Sequence, residues 1–308
     1  MRTPDAYPVT TWLRGNFVRP HPDRWQRFHF HQTRSPKGVP TTMRVYAAIA
    51  LRTFRRFATY RAATAAGVFT NTIFGFIMAF TYIALWEARP GLGGYDVSDA
   101  VTYVWLGQSL GMIGGLWGGG FRDELAERIR TGDIAVDLYR PVSFQAWWLA
   151  GDLGRAAFHL IARGVPPTLI GALVFDLTLP ADLLTWLAFV LAVFLGAVVC
   201  FSINYLFALT GFWLLDSRGV HQVAGVLAMF FSGMLLPLNI FPGWFGDLAR
   251  VLPWSSALQI PADVFLGKHQ GLELLPVFAF QGVWALVLWV AGYFLTSLAT
   301  RKVVVQGG

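Results

Sequence analysis

The sequence predicts an all-α integral membrane protein with six transmembrane helices, cytoplasmic N and C termini, and an interfacial amphipathic helix before the first span. Of the 308 residues, 55% are hydrophobic and 13% are charged, whereas a soluble domain carries about 25% charged residues. Six apolar runs are long enough for helices that cross the hydrocarbon core, which takes about 20 residues. The single cysteine, Cys200, lies inside one of these runs. Neither a disulfide framework nor a cysteine-based metal site is therefore expected.

The chain begins with a basic and proline-rich segment. Residues 1–41 contain no apolar run that can build a core, so we expect a disordered cytoplasmic tail. Residues 42–61 then alternate apolar side chains with arginines, as expected for a helix that lies in the cytoplasmic interface. Membrane topology accounts for the positive charge of the tail, and no nucleic-acid partner is predicted.

The remaining residues, 62–308, form the predicted six-span domain. Its apolar runs cover residues 62–86, 101–120, about 146–175, 183–209, 220–241 and 276–299. With a cytoplasmic N-terminus, 19 of the 24 Lys and Arg fall on the cytoplasmic side and three on the opposite side. The positive-inside rule therefore places both termini and the central loop, residues 121–143, in the cytoplasm.

The central loop is the longest polar passage between two apolar runs. Phe121, Leu125 and Ile129 recur every four residues, which predicts one narrow apolar stripe on a short charged helix. Gly132 is a helix stop, and the residues from there to Pro141 are predicted to be extended. A charged helix docked by an apolar stripe is suited to being pushed by a partner. The alternative is a helix in a solvated loop.

Glycines mark the second span. Four glycines in this span are spaced by four residues and form a ridge: Gly107, Gly111, Gly115 and Gly119. This ridge predicts close packing against another helix of the same bundle, in preference to a contact between subunits. The last external segment, residues 242–272, is too long and too apolar for a simple connector. Its aromatic residues and prolines predict two short re-entrant helices in the outer leaflet, with an interfacial aromatic belt as the alternative.

The third span carries polar residues on one predicted helical face: Asp152, Arg155, His159 and Arg163. The twelve apolar residues after Arg163 cover only about 18 Å. The span must therefore begin earlier, and it is predicted to carry Arg163 towards the middle of the membrane. This face is a candidate for the inward-open substrate path, with Pro237 of the fifth span as a candidate gate. The alternatives are a structural ion pair, or an arginine that snorkels to the headgroups.

Several chemistries are not supported by any local motif. The chain has no GxxxxGK[ST] sequence, so ATP binding through a P-loop is not expected, and it has no HExxH, CxxC or GxSxG sequence. We therefore predict no catalytic residue, no metal site and no cofactor in this chain.

The central loop resembles a known family. The segment ERIRTGDIAVDLYRPVS, Glu127 to Ser143, is similar to the G-(I/L)-x3-L-x-R-P pattern of ABC type-2 transporter permeases of the drug- and antibiotic-exporting, daunorubicin-type branch. The match is carried by Gly132, Ile134, Leu138, Arg140 and Pro141. The similarity runs from about Thr42 to the C-terminus, and the tail before it falls outside.

This resemblance implies a permease subunit that exports a hydrophobic or amphiphilic substrate across the bacterial plasma membrane by alternating access. It implies a cytoplasmic ATPase partner in two copies, which holds ATP and Mg, and a second permease that is the same chain or a different one. The residues that the resemblance assigns to coupling are Phe121, Leu125, Glu127, Arg128, Ile129, Gly132, Arg140 and Pro141. Two other classes remain open: a membrane-embedded enzyme acting on lipid, centred on Asp152, His159 and Arg163, and a passive channel or scaffold.

Overall fold

The computed structural model describes residues 41–115, 120–214 and 216–301. The chain divides into two units, residues 1–39 and 40–308, and the described residues lie in the second. Its regular elements in these ranges are helices: α1 Thr41–Ala58, α2 Arg61–Ala88, α3 Val97–Ile113, α4 Phe121–Thr131, α5 Ile134–Leu138, α6 Phe144–His159, α7 Val165–Val174, α8 Leu183–Leu209, α9 Arg218–Phe231, α10 Gly243–Val251, α11 Gln259–Phe265 and α12 Leu274–Thr300. The prediction for residues 1–41 lies outside them, except at Thr41.

Four helical stretches in the described ranges are long and apolar enough to cross a membrane. They are Arg61–Ala88, Phe144–Val174, Leu183–Phe212 and Gly271–Thr300. The second and fifth predicted spans contain shorter helices, since α3 has 17 residues and α9 has 14. Glycines in the left-handed region follow both helices, Gly115 at φ 64° and Gly233 at φ 87°, and this conformation stops a helix. These two spans therefore stay predictions.

The predicted glycine ridge is shorter in the structure than its spacing suggests. Because α3 ends at Ile113, Gly115 lies beyond the helix, and the prediction of a continuous ridge through it is wrong. Gly107 makes only ordinary contacts, with Leu258 of the α11 region at 3.5 Å from an added Cβ. Gly111 is buried within α3, and Gly119 lies outside the described residues. A packing role stays a prediction for Gly107 and Gly111.

The first helix packs along α6. A Cβ at Gly154 would overlap the backbone carbonyl of Ala50, so the two backbones touch at this point. Further along, the rings of Phe54 and Phe57 lie 5.6 and 6.2 Å from the ring of Phe158. The predicted helix before the first span is thus present as α1, with one face held on α6.

One helical rod runs through α6 and α7 by way of a π-helical turn, Leu160–Gly164. Pro166 and Pro167 follow this turn and cannot donate backbone hydrogen bonds. The carbonyl of Gly164 accepts hydrogen bonds from Ser109 Oγ at 3.0 Å and Thr168 Oγ1 at 3.1 Å. The Ser109 hydroxyl therefore attaches the start of α7 to α3.

The two short helices α10 and α11 occupy the segment predicted as re-entrant, and a 3₁₀ turn at Pro253–Ala257 joins them. Gly196 of α8 lies against the backbone of this turn, where a Cβ would overlap the carbonyl oxygen of Ser256. Gly196 is thirteen residues into α8, about 20 Å along the helix at 1.5 Å per residue. The turn therefore packs deep against α8, and its entry into the outer leaflet stays a prediction.

Candidate functional site

The helix α4 is docked by the apolar stripe that the sequence predicts. Phe121 and Leu125 are buried, and the ring of Phe121 lies 4.6 Å from the ring of Phe201 in α8. Ile129 is half-buried and packs beside Gly211, just after α8. A left-handed Gly132, at φ 83°, follows the helix and ends it.

The opposite face of α4 carries an exposed ion pair. Arg130 donates two hydrogen bonds to the carboxylate of Glu127, at 2.8 and 2.5 Å. Both side chains are more than half exposed, and the hydrogen bond from Arg130 lowers the pKa of Glu127. This face is therefore charged and accessible to a partner.

The segment after Gly132 is not extended as predicted, because residues 134–138 form the short helix α5. This turn places Asp137 beneath α4, where its side chain is 2% exposed and is bound by two arginines. Arg128 donates to it at 2.5 and 3.0 Å, and Arg140 approaches it at 2.8 Å. Arg128 is thus a clamp between α4 and α5 rather than the fully exposed charge that the polar face of the helix suggested.

Arg140, one of the two arginines that bind Asp137, also contacts α6. The guanidinium of Arg140 stacks over the ring of Trp147 at 4.2 Å, a cation–π contact. Pro141 is exposed and precedes α6, whose first turn is capped by Ser143 Oγ, which accepts from the backbone N–H of Ala146 at 3.4 Å. The G…RP motif therefore closes a compact connection between α4 and α6.

The polar residues of α6 meet the end of α3. Arg155 pairs with Asp152 at 2.6 Å and donates to the carbonyls of Met112 and Ile113 at 2.9 and 2.8 Å. These carbonyls lack helical partners at the end of α3, so Arg155 acts as a side-chain cap. The interpretation of a structural ion pair is favoured for this pair, and a role in the substrate path stays a prediction.

A second polar contact lies beside this cap. Arg122 of α4 is 7% exposed, although its sequence position suggested a solvated face. It donates to Asn204 Oδ1 of α8 at 3.3 Å, and Asn204 donates to the carbonyl of Gly114 at 3.3 Å. The helix α4 is therefore connected through polar groups to both α8 and the end of α3.

His159 and Arg163 lie further along the same face but make different contacts. The ring of His159 is 5.2 Å from that of Phe57, and the guanidinium of Arg163 fills the space beside Gly67. Gly67 is six residues into α2, about 9 Å from its start at 1.5 Å per residue. The helical rod of α6 and α7 begins at Phe144, nineteen residues before Arg163, and the position of Arg163 towards the middle of the membrane stays a prediction.

A cavity of about 470 Å³ lies at this end of the bundle, between α1, α4, α5 and α6. Asp152 and Arg155 line it, whereas His159 and Arg163 do not. Polar and aromatic side chains share its wall: Arg52, Arg56, Glu124, Arg128, Asp137, Arg140, Phe57, Phe121, Trp147 and Trp148.

The opposite end holds a polar cluster that the sequence interpretation missed. Gln259 of α11 accepts from the backbone N–H of Leu238 at 2.7 Å and from Tyr103 Oη at 3.1 Å. Its amide nitrogen donates to Tyr95 Oη and to Asp263, both at 2.9 Å. The only local signal in the sequence was a pair of polar residues, Gln259 and Asp263, in the otherwise apolar segment QIPAD. Their spacing does not match a known functional motif.

Asp263 completes this cluster, and Tyr95 also donates to it. Asp263 is 7% exposed, and burial raises the pKa of its carboxyl, against the opposing effect of its hydrogen bonds. Nearby, Lys268 pairs with Asp99 at 2.6 Å. These contacts attach α11 to the start of α3.

The candidate gate at Pro237 lies in the broken part of the fifth predicted span. Pro237 is buried, and the 3₁₀ turn Leu238–Ile240 follows it. The break is held by α11, because the backbone N–H of Gln259 donates to the carbonyl of Ser232 at 3.1 Å. Pro237 and Gln259 therefore belong to one hydrogen-bonded unit.

A small apolar cavity lies between α2, α3, α9 and the break. Its volume is about 190 Å³, and its wall includes Met78, Tyr103, Gln108, Met229, Met234 and Leu258. Methionine side chains adapt to irregular apolar ligands, and Gln108 supplies a polar group within the wall.

Together these features define a multi-pass, all-helical membrane protein with a docked charged helix at one end and a hydrogen-bonded break at the other. A family model described as ABC-2 family transporter protein matches residues 70–307. The chain therefore belongs to this family of transporter membrane components. No curated protein matches it.

Proposed function

We propose that the chain is the permease subunit of an ATP-driven exporter of the drug and antibiotic type in the bacterial plasma membrane. Its cargo is hydrophobic or amphiphilic: a drug, an antibiotic or a lipid-like molecule. ATP and Mg²⁺ bind to a separate cytoplasmic ATPase, present in two copies. A second permease, the same chain or a different one, completes the path, and six spans leave both termini in the cytoplasm.

The observation that carries this proposal is the geometry of α4. Its apolar stripe is buried against α8, its Arg128 is fixed to α5 through Asp137, and its outer face is charged and exposed. A helix held in this way moves as part of the bundle when a partner pushes it. Family membership supplies the partner class, since transporters of this family are driven by an ATPase.

The contacts also suggest how the motion passes through the membrane. The Arg122–Asn204 contact and the Arg155 cap connect α4 and α6 to the end of α3. In the first half of α3, the hydroxyl of Tyr103 shares its one proton between Gln259 Oε1 and the carbonyl of Gly233, which is 2.9 Å away. A displacement of α3 would therefore act directly on the break before Pro237, which we propose as the gate.

The coupling role is tested by exchanging the charges of the exposed pair. Glu127→Arg with Arg130→Glu keeps an ion pair within α4 but reverses the charge pattern that a partner meets. We expect ATPase association to weaken by about tenfold, equal to about 1.4 kcal/mol, because reversed charges oppose a complementary surface. Cargo-stimulated ATP hydrolysis and transport in proteoliposomes should fall together.

A matched control exists on α10, where Asp247 and Arg250 form a pair with the same spacing, at 2.7 Å. The exchange Asp247→Arg with Arg250→Asp should leave ATPase association unchanged. If the protein with the α4 exchange hydrolyses ATP and transports cargo like the parent protein, α4 is not the coupling element.

The polar face of α6 and the π turn is proposed as the inward-open part of the path, and Arg163 tests it. Arg163 Nε has no hydrogen-bond partner in the described part of the chain. Arg163→Leu should lower transport of an amphiphilic cargo that carries a negative charge by about tenfold, a loss of about 1.4 kcal/mol, with ATPase association unchanged. Arg163→Lys, which keeps the charge, should retain transport. Parent-like transport by the leucine variant, or its misfolding, would assign Arg163 a peripheral or structural role.

A further inference from the structure

The cavity between α1, α4, α5 and α6 has more positive than negative charge. Five arginines line it, Arg52, Arg56, Arg128, Arg140 and Arg155, against three carboxylates, Glu124, Asp137 and Asp152. Its volume of about 470 Å³ falls in the range of pockets that bind small ligands. The excess of two formal positive charges therefore faces a space large enough for a ligand.

Each carboxylate of the wall is already bound to an arginine. Glu124 accepts from Arg56 at 3.0 Å, and Asp152 accepts from Arg155 at 2.6 Å. Asp137 is shared by Arg128 and Arg140, so one positive charge of that trio is not neutralised. No carboxylate of the wall is therefore left to neutralise the remaining positive charges.

Arg52 supplies the second excess charge. It lines the cavity from α1, and no acidic group in the described ranges pairs with it. Guanidinium groups bind phosphate oxygens through paired N–H donors. The two excess charges, at Arg52 and at the Arg128–Asp137–Arg140 trio, therefore form an arrangement suited to a phosphate.

The remaining wall indicates where this phosphate comes from. Ile49, Phe57 and Trp147 give the cavity an apolar side, and α1 has the alternating apolar and basic pattern of a helix in the membrane interface. Anionic headgroups concentrate at basic segments beside a membrane. We propose that the cavity binds the phosphate of an anionic phospholipid from the adjacent leaflet. The site does not depend on the cargo or on the proposed coupling role of α4.

The experiment compares two single-charge changes on the same helix. Both arginines are exposed, but Arg52→Gln removes a charge that lines the cavity, whereas Arg55→Gln removes one that does not. The full chain is purified in detergent and titrated with phosphatidylglycerol or phosphatidylcholine, and bound lipids are counted by native mass spectrometry. We expect the parent protein to bind one phosphatidylglycerol in preference to phosphatidylcholine. The affinity for phosphatidylglycerol should fall by about tenfold in Arg52→Gln and stay at the parent value in Arg55→Gln.

A second variant keeps the test independent of Arg52. Arg140→Gln removes the other excess charge while Arg128 remains paired with Asp137, and it should give a similar loss of lipid affinity. A parallel titration with inorganic phosphate distinguishes a lipid headgroup from a free anion, and we expect no displacement of the lipid at millimolar phosphate.

Three results would overturn the proposal. Equal losses in Arg52→Gln and Arg55→Gln would mean a general attraction of α1 to charged lipid. Stoichiometric binding of inorganic phosphate without a lipid preference would mean a free anion site. In the third case, Arg52→Gln and Arg140→Gln bind lipid like the parent but associate more weakly with the ATPase, whereas Arg55→Gln associates normally. This result would mean that an acidic surface of the ATPase fills the cavity.

Discussion

Replacing Gly196 with alanine should destabilise the protein by about 1–3 kcal/mol, the usual cost of adding a group to a well-packed site. A Cβ there would overlap the carbonyl oxygen of Ser256, a backbone atom that no rotamer change can move. Relief requires the Pro253–Ala257 turn to shift, and Gln281 fixes this turn because its amide nitrogen contacts the Ser256 and Ala192 carbonyls at 3.4 and 3.1 Å. Thermal unfolding in one detergent measures the effect.

Gly282 of α12 provides the matched control. A Cβ at Gly282 meets nothing within 4 Å, so Gly282→Ala adds the same methyl group to a helix without a clash. Alanine is favoured over glycine in a helix by about 1 kcal/mol, and the control should be at least as stable as the parent. If both alanine variants melt alike, the turn does not pack closely on α8.

The long helices were predictable because their signal is local. The fourth predicted span, residues 183–209, coincides with α8, and the first and sixth differ from α2 and α12 by one or two residues at each end. Apolar length alone is sufficient for such elements. The lengths of α3 and α9 were not predictable in the same way, since the apolar runs continue past the glycines that end both helices.

The close approaches between helices were less predictable. Four glycines spaced by four suggested a contact ridge on α3, yet the two closest approaches of a glycine to another backbone in the described residues are at Gly154 and Gly196. Each lies four residues after an alanine, Ala150 and Ala192, a spacing of small residues that a pattern of glycines alone does not reveal. Such contacts depend on which helices meet and at what depth, and the sequence pattern of one helix does not contain that information.

The candidate coupling residues divide in a similar way. The stripe of Phe121 and Leu125 and the stop at Gly132 follow from periodicity and are confirmed as structural features, while their role towards an ATPase stays a prediction. The partner of Arg128 was not predictable, because Asp137 reaches it only when residues 134–138 turn into α5. An extended segment there would alternate its side chains and separate the two groups.

The largest loss is expected at Gln259, through Gln259→Leu. Leucine fills a similar volume but leaves the buried N–H of Leu238 without its acceptor and removes one donor from Asp263. An unpaired buried polar group costs about 1–3 kcal/mol, and a lost bond to a charged group costs about 1.5–3 kcal/mol. The variant should therefore be less stable by about 3 kcal/mol or more, and its break before Pro237 should open locally. Thermal unfolding and amide hydrogen exchange of residues 232–240 measure the two effects.

Two further variants decide what the loss means. Gln270→Leu makes the same change at an exposed position with one hydrogen bond, to Gly267 at 3.1 Å, and should leave both measurements near the parent values. Gln259→Glu keeps the acceptor for Leu238 but places a second carboxyl beside Asp263, whose pKa burial already raises. Since two neighbouring carboxyls share a proton at low pH, this variant should be nearly as stable as the parent in mild acid and lose stability as the pH rises towards neutral. Parent-like stability of Gln259→Leu at all pH values would show that the cluster does not hold the break.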